Sequence, residues 1–304
     1  MHNGPVTSSG THHTARYLVT LLVILAGLVA ACGAPESAGP ASSPGGSPSP
    51  SAPPTKKYVA LGSSYAAGPG GTRLTDKRCM RSADNYPSLV ARRLGLTLTD
   101  ASCSGAVVAD VIDRAQPGRA SRPQVDVLTP DTSLVTVTVG GNNIHYVGRV
   151  MAYSCQAVGP VVGVRPDHCN AKPSPPPGVR EFAHLTDDLV RMLRVIHQRA
   201  PRASVLFVDY LPLVDGTQCD LLPLTTEQQA ETDAVYRGLN AAIATASKRG
   251  DARVVAVSTA GRDHGVCSPV PWLLGYQGPA PYHETPAGKA AIADLVSESA
   301  RGTT

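Results

Sequence analysis

The sequence predicts one α/β domain with a doubly wound, parallel five-stranded sheet between two layers of helices. Five short runs rich in apolar and β-branched residues recur along the chain, and amphipathic helical patterns lie between them. Runs that are apolar throughout, rather than at alternate positions, are typical of strands buried on both faces of a parallel sheet. The chain has 304 residues, of which 42% are hydrophobic, so it is long enough to bury such a core.

Strands and helices alternate from residue 56 onward. The predicted strands are residues 58–61, 96–100, 134–139, 205–208 and 254–257. The predicted helices are residues 86–94, 184–198, 226–248 and 286–299. The second helix carries Leu185, Leu189 and Leu193 on one stripe, and the last begins with Pro286, whose missing N–H is harmless in a first turn. We interpret residues 56–304 as this domain, with rim loops at 69–85 and 148–180 that shape a pocket.

Residues 1–31 have the pattern of an export signal rather than of a folded element. The apolar stretch 17–31 has 15 residues, fewer than the roughly 20 that a membrane-spanning helix needs. It ends in Val-Ala-Ala-Cys-Gly, which resembles a bacterial lipobox, so Cys32 is expected to carry a diacylglycerol anchor; cleavage near Ala31 beside an incidental cysteine is the alternative. Residues 32–55, rich in Pro, Ser, Ala and Gly, are predicted to be a lipid-anchored spacer. We therefore expect an exported protein anchored to the outer face of the cell membrane.

The composition disfavours several classes of partner. The formal net charge is only +4 and aromatic residues make up 4% of the chain, which argues against a nucleic-acid surface. Seven cysteines are present, and the six besides Cys32 favour disulfides over metal ligation in an exported protein, with fifteen connectivities open. The run Asp167-His168-Cys169 then has too few ligands for a metal. We expect no metal, no cofactor, no nucleic-acid partner and a monomer.

Four motifs bring reactive or hydrogen-bonding groups to the ends of predicted elements. Ser64 ends a Gly-Ser-Ser motif after the first strand, Gly105 follows the second, Asn142 ends a Gly-Gly-Asn motif after the third, and His283 precedes the last helix. The carboxyl ends of parallel strands meet at one edge of the sheet, so we expect these groups to lie together. A hydroxyl, a backbone N–H, an amide and an imidazole are the groups that acyl transfer requires. A serine that only caps a helix is the alternative for an isolated Gly-Ser-Ser.

At these residues the chain resembles the SGNH hydrolase family, also called GDSL esterases and lipases, and in particular its exported actinobacterial branch. The resemblance extends from residue 58 to the last helix and implies a flavodoxin-like three-layer fold. It implies Ser64 as nucleophile and His283 as general base, with Ser63 in the position of the family's Asp. It also implies an oxyanion hole made of the N–H groups of Ser64 and Gly105 and the amide of Asn142. The implied reaction is hydrolysis of a carboxylic ester through an acyl-enzyme.

The histidine loop departs from the family pattern. Ala280 stands where the family often has Asp, and Glu284 stands where it has Pro. Some members of the branch are thought to use a main-chain carbonyl instead, so we expect the Ala280 carbonyl to orient His283. Asp263 and Glu284 are the carboxylates that would substitute for it.

The predicted strand order 2-1-3-4-5 places cysteines that follow neighbouring strands close together. These are Cys79 and Cys103, and Cys219 and Cys267, while Cys155 and Cys169 share one long loop. Pairing in sequential order therefore needs the least distortion, and the family branch shows the same arrangement.

The sequence also allows another residue as the base and two other functions. His264 is the second candidate for the base, and His145 is expected to pack or cap beside the pocket rather than to react. A non-catalytic binding module would keep the fold after losing activity in the altered histidine loop. A carbohydrate-directed deacetylase or acyltransferase would use the same site.

Overall fold

The computed structural model describes residues 55–164, 166–170 and 172–302. The predicted export signal, Cys32 and nearly all of the predicted spacer lie outside the described residues. Within the described ranges, no helix combines the length and the apolar character that crossing a bilayer requires.

Five parallel strands form the central sheet. They are β1 Lys57–Gly62, β4 Thr97–Asp100, β5 Thr132–Thr138, β6 Ser204–Val208 and β7 Arg253–Val255. Their order is β4-β1-β5-β6-β7, which is the flavodoxin-like arrangement and confirms the predicted fold class. A separate antiparallel hairpin consists of β2 Leu74–Asp76 and β3 Arg81–Ser82.

Helices cover both faces of the sheet. They are α1 Ser64–Ala67, α2 Tyr86–Leu94, α3 Val108–Ile112, α4 Tyr146–Val158, α5 Asp167–Asn170, α6 Val179–Arg199, α7 Thr226–Arg249, α8 Val257–Ala260 and α9 Pro286–Arg301. Helix α2 packs on α9, while α6 packs on both α7 and α3. The strands β1, β5 and β6 are buried at nearly every position, which requires a helical layer on each side.

Side-chain caps set where three of the predicted helices begin. The Asn85 side chain accepts the Ser88 N–H at 3.0 Å and starts α2. Thr225 starts α7 with a capping box, and the Thr285 hydroxyl accepts the Gly288 N–H at 3.1 Å to start α9. These caps satisfy N–H groups that have no partner within the helix. All three helices therefore begin at the predicted residue.

Both segments predicted as rim loops contain regular structure. The segment 69–85 contains β2 and β3, and the segment 148–180 contains most of α4, all of α5 and the start of α6. Helix α4 does not show in the hydrophobic pattern because Arg149 and Ser154 occupy its buried face. The guanidinium of Arg149 donates to the carbonyls of Ile144 and Ser174, so a cation serves there as a core residue. The fifth strand ends at Val255, two residues before its predicted end, because Val257 begins α8.

Three disulfides are present among the described residues. They join Cys79 to Cys103, Cys155 to Cys169, and Cys219 to Cys267, the same pairs that the strand order and the family resemblance favour. The first joins the β2–β3 hairpin to the segment after β4, and the third joins the segments after β6 and α8. Because Cys169 is oxidised, it is no longer a metal ligand.

Candidate active site

Ser64 is the first residue of α1, directly after the turn that ends β1. Gly62 has a φ of +138°, and a Cβ at this position would overlap the carbonyl oxygen of Thr138, so only glycine fits against β5. Ser63 continues this contact, since its N–H donates to the Thr138 carbonyl at 2.8 Å. Ser63 is buried, whereas Ser64 is partly exposed. The turn thus fixes Ser64 at the carboxyl end of the sheet, with its N–H at a position that lacks a helical partner.

Gly105 lies on the connection after β4 and is exposed. The Cys103 N–H donates to the Gly62 carbonyl at 3.0 Å, which attaches this connection to the serine turn. The Gln116 amide donates to the Ser104 carbonyl at 2.9 Å, which gives the same connection a second hydrogen bond. Gly105 itself has a φ of +84°, and no described group accepts its N–H. Its N–H is therefore available to a ligand at this edge.

Asn142 follows β5 and is oriented by the neighbouring connection. Its Nδ2 donates to the Ala106 carbonyl at 3.0 Å, which uses one of the two amide hydrogens. The next residue, Asn143, accepts the Val108 N–H at 3.1 Å. Two adjacent amides thus join the segments after β4 and β5, and the second hydrogen on Asn142 Nδ2 is left for a ligand.

Tyr210 forms a hydrogen bond with the Gly-Gly-Asn segment. It follows β6, and its hydroxyl accepts the Gly141 N–H at 3.0 Å. Its ring lies 4.9 Å from the ring of Tyr65, centroid to centroid. Burial raises the pKa of Tyr210 to about 12, so the hydroxyl remains protonated at neutral pH. Neither Tyr65 nor Tyr210 is among the site residues predicted from the sequence; a tyrosine at the carboxyl end of a buried strand is the signal that marks Tyr210.

His283 packs against the helix that carries Ser64. The ring of Tyr65 lies 5.5 Å from the His283 ring, and the Tyr65 hydroxyl donates to the Tyr282 carbonyl at 2.8 Å. The loop before α9 and the turn after β1 are therefore in direct contact, although they are more than 200 residues apart in sequence.

The imidazole of His283 is held as a neutral base. Its Nδ1 lies 2.9 Å from the Pro281 carbonyl, which accepts only, so Nδ1 carries the proton and Nε2 is the free acceptor. Burial lowers the pKa of His283 to about 4; the carbonyls of Pro281 and Ala280 oppose this shift, and the charge of Lys289 adds to it.

The acceptor of the ring differs from the one expected. The prediction of a main-chain carbonyl agrees with the geometry, but Pro281 rather than Ala280 supplies the hydrogen bond at 2.9 Å. The Ala280 carbonyl instead lies 3.4 Å from the main-chain N–H of His283. Tyr282, which separates Pro281 from His283, has a φ of +63°. This left-handed conformation brings the Pro281 carbonyl within hydrogen-bond distance of the His283 ring. Sequence alone does not reveal that conformation.

The other candidates for the base or its orienting group do not take these roles. The His264 Nδ1 lies 2.7 Å from the Val270 carbonyl and its ring stacks on Trp272 at 4.2 Å, so His264 is part of a packed loop. His145 is exposed at the start of α4. Glu284 is buried, and neither carboxyl oxygen has a hydrogen-bond partner among the described residues. Asp263 makes no hydrogen bond to His283, whose Nδ1 is taken by the Pro281 carbonyl.

Comparison with known proteins decides the family. Residues 60–291 match the family model of the GDSL-like lipase/acylhydrolase family. The chain belongs to this family. Lipase 2 of Streptomyces coelicolor is 32% identical over 256 residues, which cover 80% of this chain and 85% of that protein. A lipase of Streptomyces rimosus is 27% identical over 241 residues, which cover 77% of this chain and 82% of that protein.

Two solved structures have a similar fold. The extracellular lipase of Streptomyces rimosus has a TM-score of 0.63 at 25% identity, covering 81% of this chain and 99% of that one. Phospholipase A1 of Streptomyces albidoflavus has a TM-score of 0.62 at 22% identity, with the same coverage of 81% and 99%. As a GDSL-like acylhydrolase, this protein is a carboxylic ester hydrolase of the lipase and esterase type.

Proposed function

We propose that this GDSL-like acylhydrolase hydrolyses acyl esters through a covalent acyl-enzyme on Ser64, with His283 as general base. The observation that carries the proposal is the packing of Tyr65 on the His283 ring, because Tyr65 directly follows Ser64 and fixes the nucleophile helix against the histidine loop. The free acceptor Nε2 of a neutral imidazole is the group that a serine hydroxyl needs as its base.

The steps follow from the groups at the site. Nε2 of His283 takes the proton of the Ser64 hydroxyl, whose oxygen attacks the ester carbonyl. The negative charge on the carbonyl oxygen is stabilised by the N–H groups of Ser64 and Gly105 and by the free amide hydrogen of Asn142. The imidazolium then protonates the leaving alcohol, and an acyl-enzyme remains. Water, deprotonated by the same imidazole, attacks the acyl-enzyme; the bond from the acyl carbon to the Ser64 oxygen breaks, the imidazolium returns its proton to that oxygen, and the acid is released.

Lipid esters are the substrate class that we propose. Two relatives that match along most of this chain are named lipases, and one structure of similar fold is a phospholipase A1. We further propose that the domain acts at a membrane surface through a lipid anchor on Cys32, which lies outside the described residues. A Cys32→Ala protein that still partitions with the membrane fraction would contradict the anchor.

The Ser64→Ala variant tests the proposed mechanism. We expect hydrolysis of a short p-nitrophenyl ester to fall by at least 10³-fold, on the order of the loss seen when a nucleophile is removed. A fluorophosphonate should label the native protein at Ser64 and leave the variant unlabelled. The matched control is Ser63→Ala. Ser63 is buried, and its hydroxyl donates to the Thr138 carbonyl. Turnover by Ser64→Ala at the native rate would end the proposal, and absent labelling of the native protein would favour a non-catalytic binding module.

A further inference from the structure

Tyr210 is a buried tyrosine that contacts two parts of the proposed site. It lies two residues after β6 and is 1% exposed. Its hydroxyl accepts the N–H of Gly141, the residue before Asn142, at 3.0 Å. Its ring centroid lies 4.9 Å from that of Tyr65, the residue after Ser64. One side chain therefore contacts both the segment of a proposed oxyanion donor and the helix of the proposed nucleophile.

The Gly141 N–H depends on the Tyr210 hydroxyl. Gly141 is buried, and no other group among the described residues accepts its N–H. A Cβ on Gly141 would lie 3.0 Å from Cε1 of Tyr210, so a glycine at this position allows the ring to approach closely. A buried N–H without an acceptor is costly, and nearly all such groups in folded proteins are paired. Without the hydroxyl, the segment would have to move until its N–H met another acceptor.

The Gly141 carbonyl and the Asn142 side chain have acceptors and donors of their own. The Tyr146 N–H at the start of α4 donates to the Gly141 carbonyl at 2.8 Å. Asn142 Nδ2 donates one hydrogen to the Ala106 carbonyl at 3.0 Å. Hydrogen bonds to both peptide groups of Gly141 thus fix the main chain from which the Asn142 side chain extends. The bond to the Tyr210 hydroxyl is the one of these that a substitution can remove while Asn142 stays in place.

Asn240 of α7 fixes the main chain of Tyr210. Its Oδ1 accepts the Tyr210 N–H and its Nδ2 donates to the Tyr210 carbonyl, both at 3.0 Å. Two hydrogen bonds from one amide leave the main chain of Tyr210 little freedom to turn. Because Asn240 belongs to a helix of 24 residues, Tyr210 is attached to a regular element rather than to a loop.

We propose that Tyr210 is a positioning residue for the oxyanion hole: its main chain is fixed by Asn240, and its hydroxyl holds the Gly141 N–H, which keeps the Asn142 amide oriented toward the developing oxyanion. Tyr210 acts through Asn142 and not on the ester. Its effect is on the transition state, because a donor stabilises an oxyanion fully only at hydrogen-bond distance from it. This inference rests on the proposed function, in which Asn142 is an oxyanion donor.

The Tyr210→Phe variant removes the hydroxyl and keeps the ring. We expect kcat for a soluble p-nitrophenyl ester to fall about tenfold with KM changed by less than about threefold, because the displaced donor serves the transition state. In an Asn142→Ala background the same substitution should change kcat by less than about twofold, because the donor through which Tyr210 acts is gone. Asn240→Ala keeps the hydroxyl but frees the main chain of Tyr210, and it should also lower kcat rather than raise KM.

Tyr58→Phe is the matched control for loss of stability. Tyr58 is buried like Tyr210, and its hydroxyl forms a hydrogen bond of 2.7 Å with that of Thr136 within the sheet. Both variants should have a lower Tm, whereas kcat should fall in Tyr210→Phe alone. The inference is overturned if Tyr210→Phe keeps the native kcat, changes KM alone, or lowers kcat by the same factor with and without the Asn142 side chain. An equal loss of kcat in Tyr58→Phe overturns it as well.

A second readout needs no turnover. In a Ser64→Ala background, NMR follows the side-chain amide signals of Asn142 and the hydrogen exchange of the Gly141 N–H. Tyr210→Phe should shift the Asn142 signals and speed the exchange, while Tyr58→Phe should leave both at native values; unmoved Asn142 signals in Tyr210→Phe overturn the inference. A protein that shows these changes but hydrolyses no ester would contradict the proposed function and leave the positioning of Asn142 by Tyr210 in place.

Discussion

Asn142 illustrates how a single side chain is oriented for its proposed role in the oxyanion hole. Its amide already donates one hydrogen to the Ala106 carbonyl, so its orientation is set before any ester arrives. A donor that needs no reorganisation is worth more to a developing oxyanion than one that must turn from water. The residue type and its place after the third strand are readable from the sequence. The hydrogen bond that fixes its rotamer is not, because Ala106 belongs to another connection.

The variant Asn142→Ala should therefore affect turnover more than binding. We expect kcat to fall by about 10² to 10³ with KM changed by less than about threefold, as for other oxyanion donors. Steady-state kinetics on a short ester would measure both constants. His145→Asn is the control, since His145 is exposed with a φ of +54° and asparagine tolerates that conformation. A rise in KM alone would assign Asn142 to binding of the ester ground state.

At the scale of elements, the sequence was informative wherever a pattern was local. The strands follow from short apolar runs, and α2, α7 and α9 begin at the predicted residue because their caps are encoded beside them. Helix α4 was missed because its buried face includes a cation that binds carbonyls outside the helix, at Ile144 and Ser174. The β2–β3 hairpin was missed because its strands have three and two residues, too few to show a period.

The disulfide between Cys79 and Cys103 should support catalysis as well as stability. It joins the hairpin to the segment of Gly105, and the Ser104 N–H donates to the Cys79 carbonyl beside it at 3.0 Å. Replacing both cysteines with serine should lower the free energy of unfolding by about 2 to 4 kcal/mol and reduce kcat, since the Gly105 N–H would no longer be fixed.

The corresponding Cys155 and Cys169 double variant provides the comparison. That bridge joins α4 to α5 and should affect stability without a comparable loss of kcat. Denaturant unfolding and ester kinetics on the two variants would separate the effects. Equal losses of kcat in both would show that the first bridge has no special connection to the oxyanion hole.

At the scale of the whole molecule, two buried acids and the partly buried His283 make stability depend on pH in different directions. The pKa of Glu284 is raised to about 8 and that of Asp209 to about 6 by burial, while burial lowers that of His283 to about 4. For the two acids the folded state keeps a proton that the unfolded chain releases, so their contribution to stability falls as pH rises toward the folded pKa. For His283 the unfolded chain binds a proton first, so its contribution falls as pH drops below about 6.5.

Between pH 6.5 and 8 Glu284 changes its contribution the most among these three. The free energy of unfolding should fall over that interval by about 2 kcal/mol, which corresponds to a decrease in Tm on the order of 5 °C. Glu284→Gln should flatten this decline and be the more stable protein at pH 8. Calorimetry at a series of pH values would measure both. A native protein that loses no stability between pH 6.5 and 8 would show that the carboxyl is already ionised or solvated.

The hydrogen bond between the Tyr65 hydroxyl and the Tyr282 carbonyl has a consequence for synthesis. It joins residues 217 positions apart, so the proposed nucleophile and the proposed base can meet only after the loop before α9 has been synthesised. A nascent chain that has not yet reached residue 282 has the proposed nucleophile but neither the carbonyl that anchors its helix nor the proposed base. We expect such a chain to be inert toward esters.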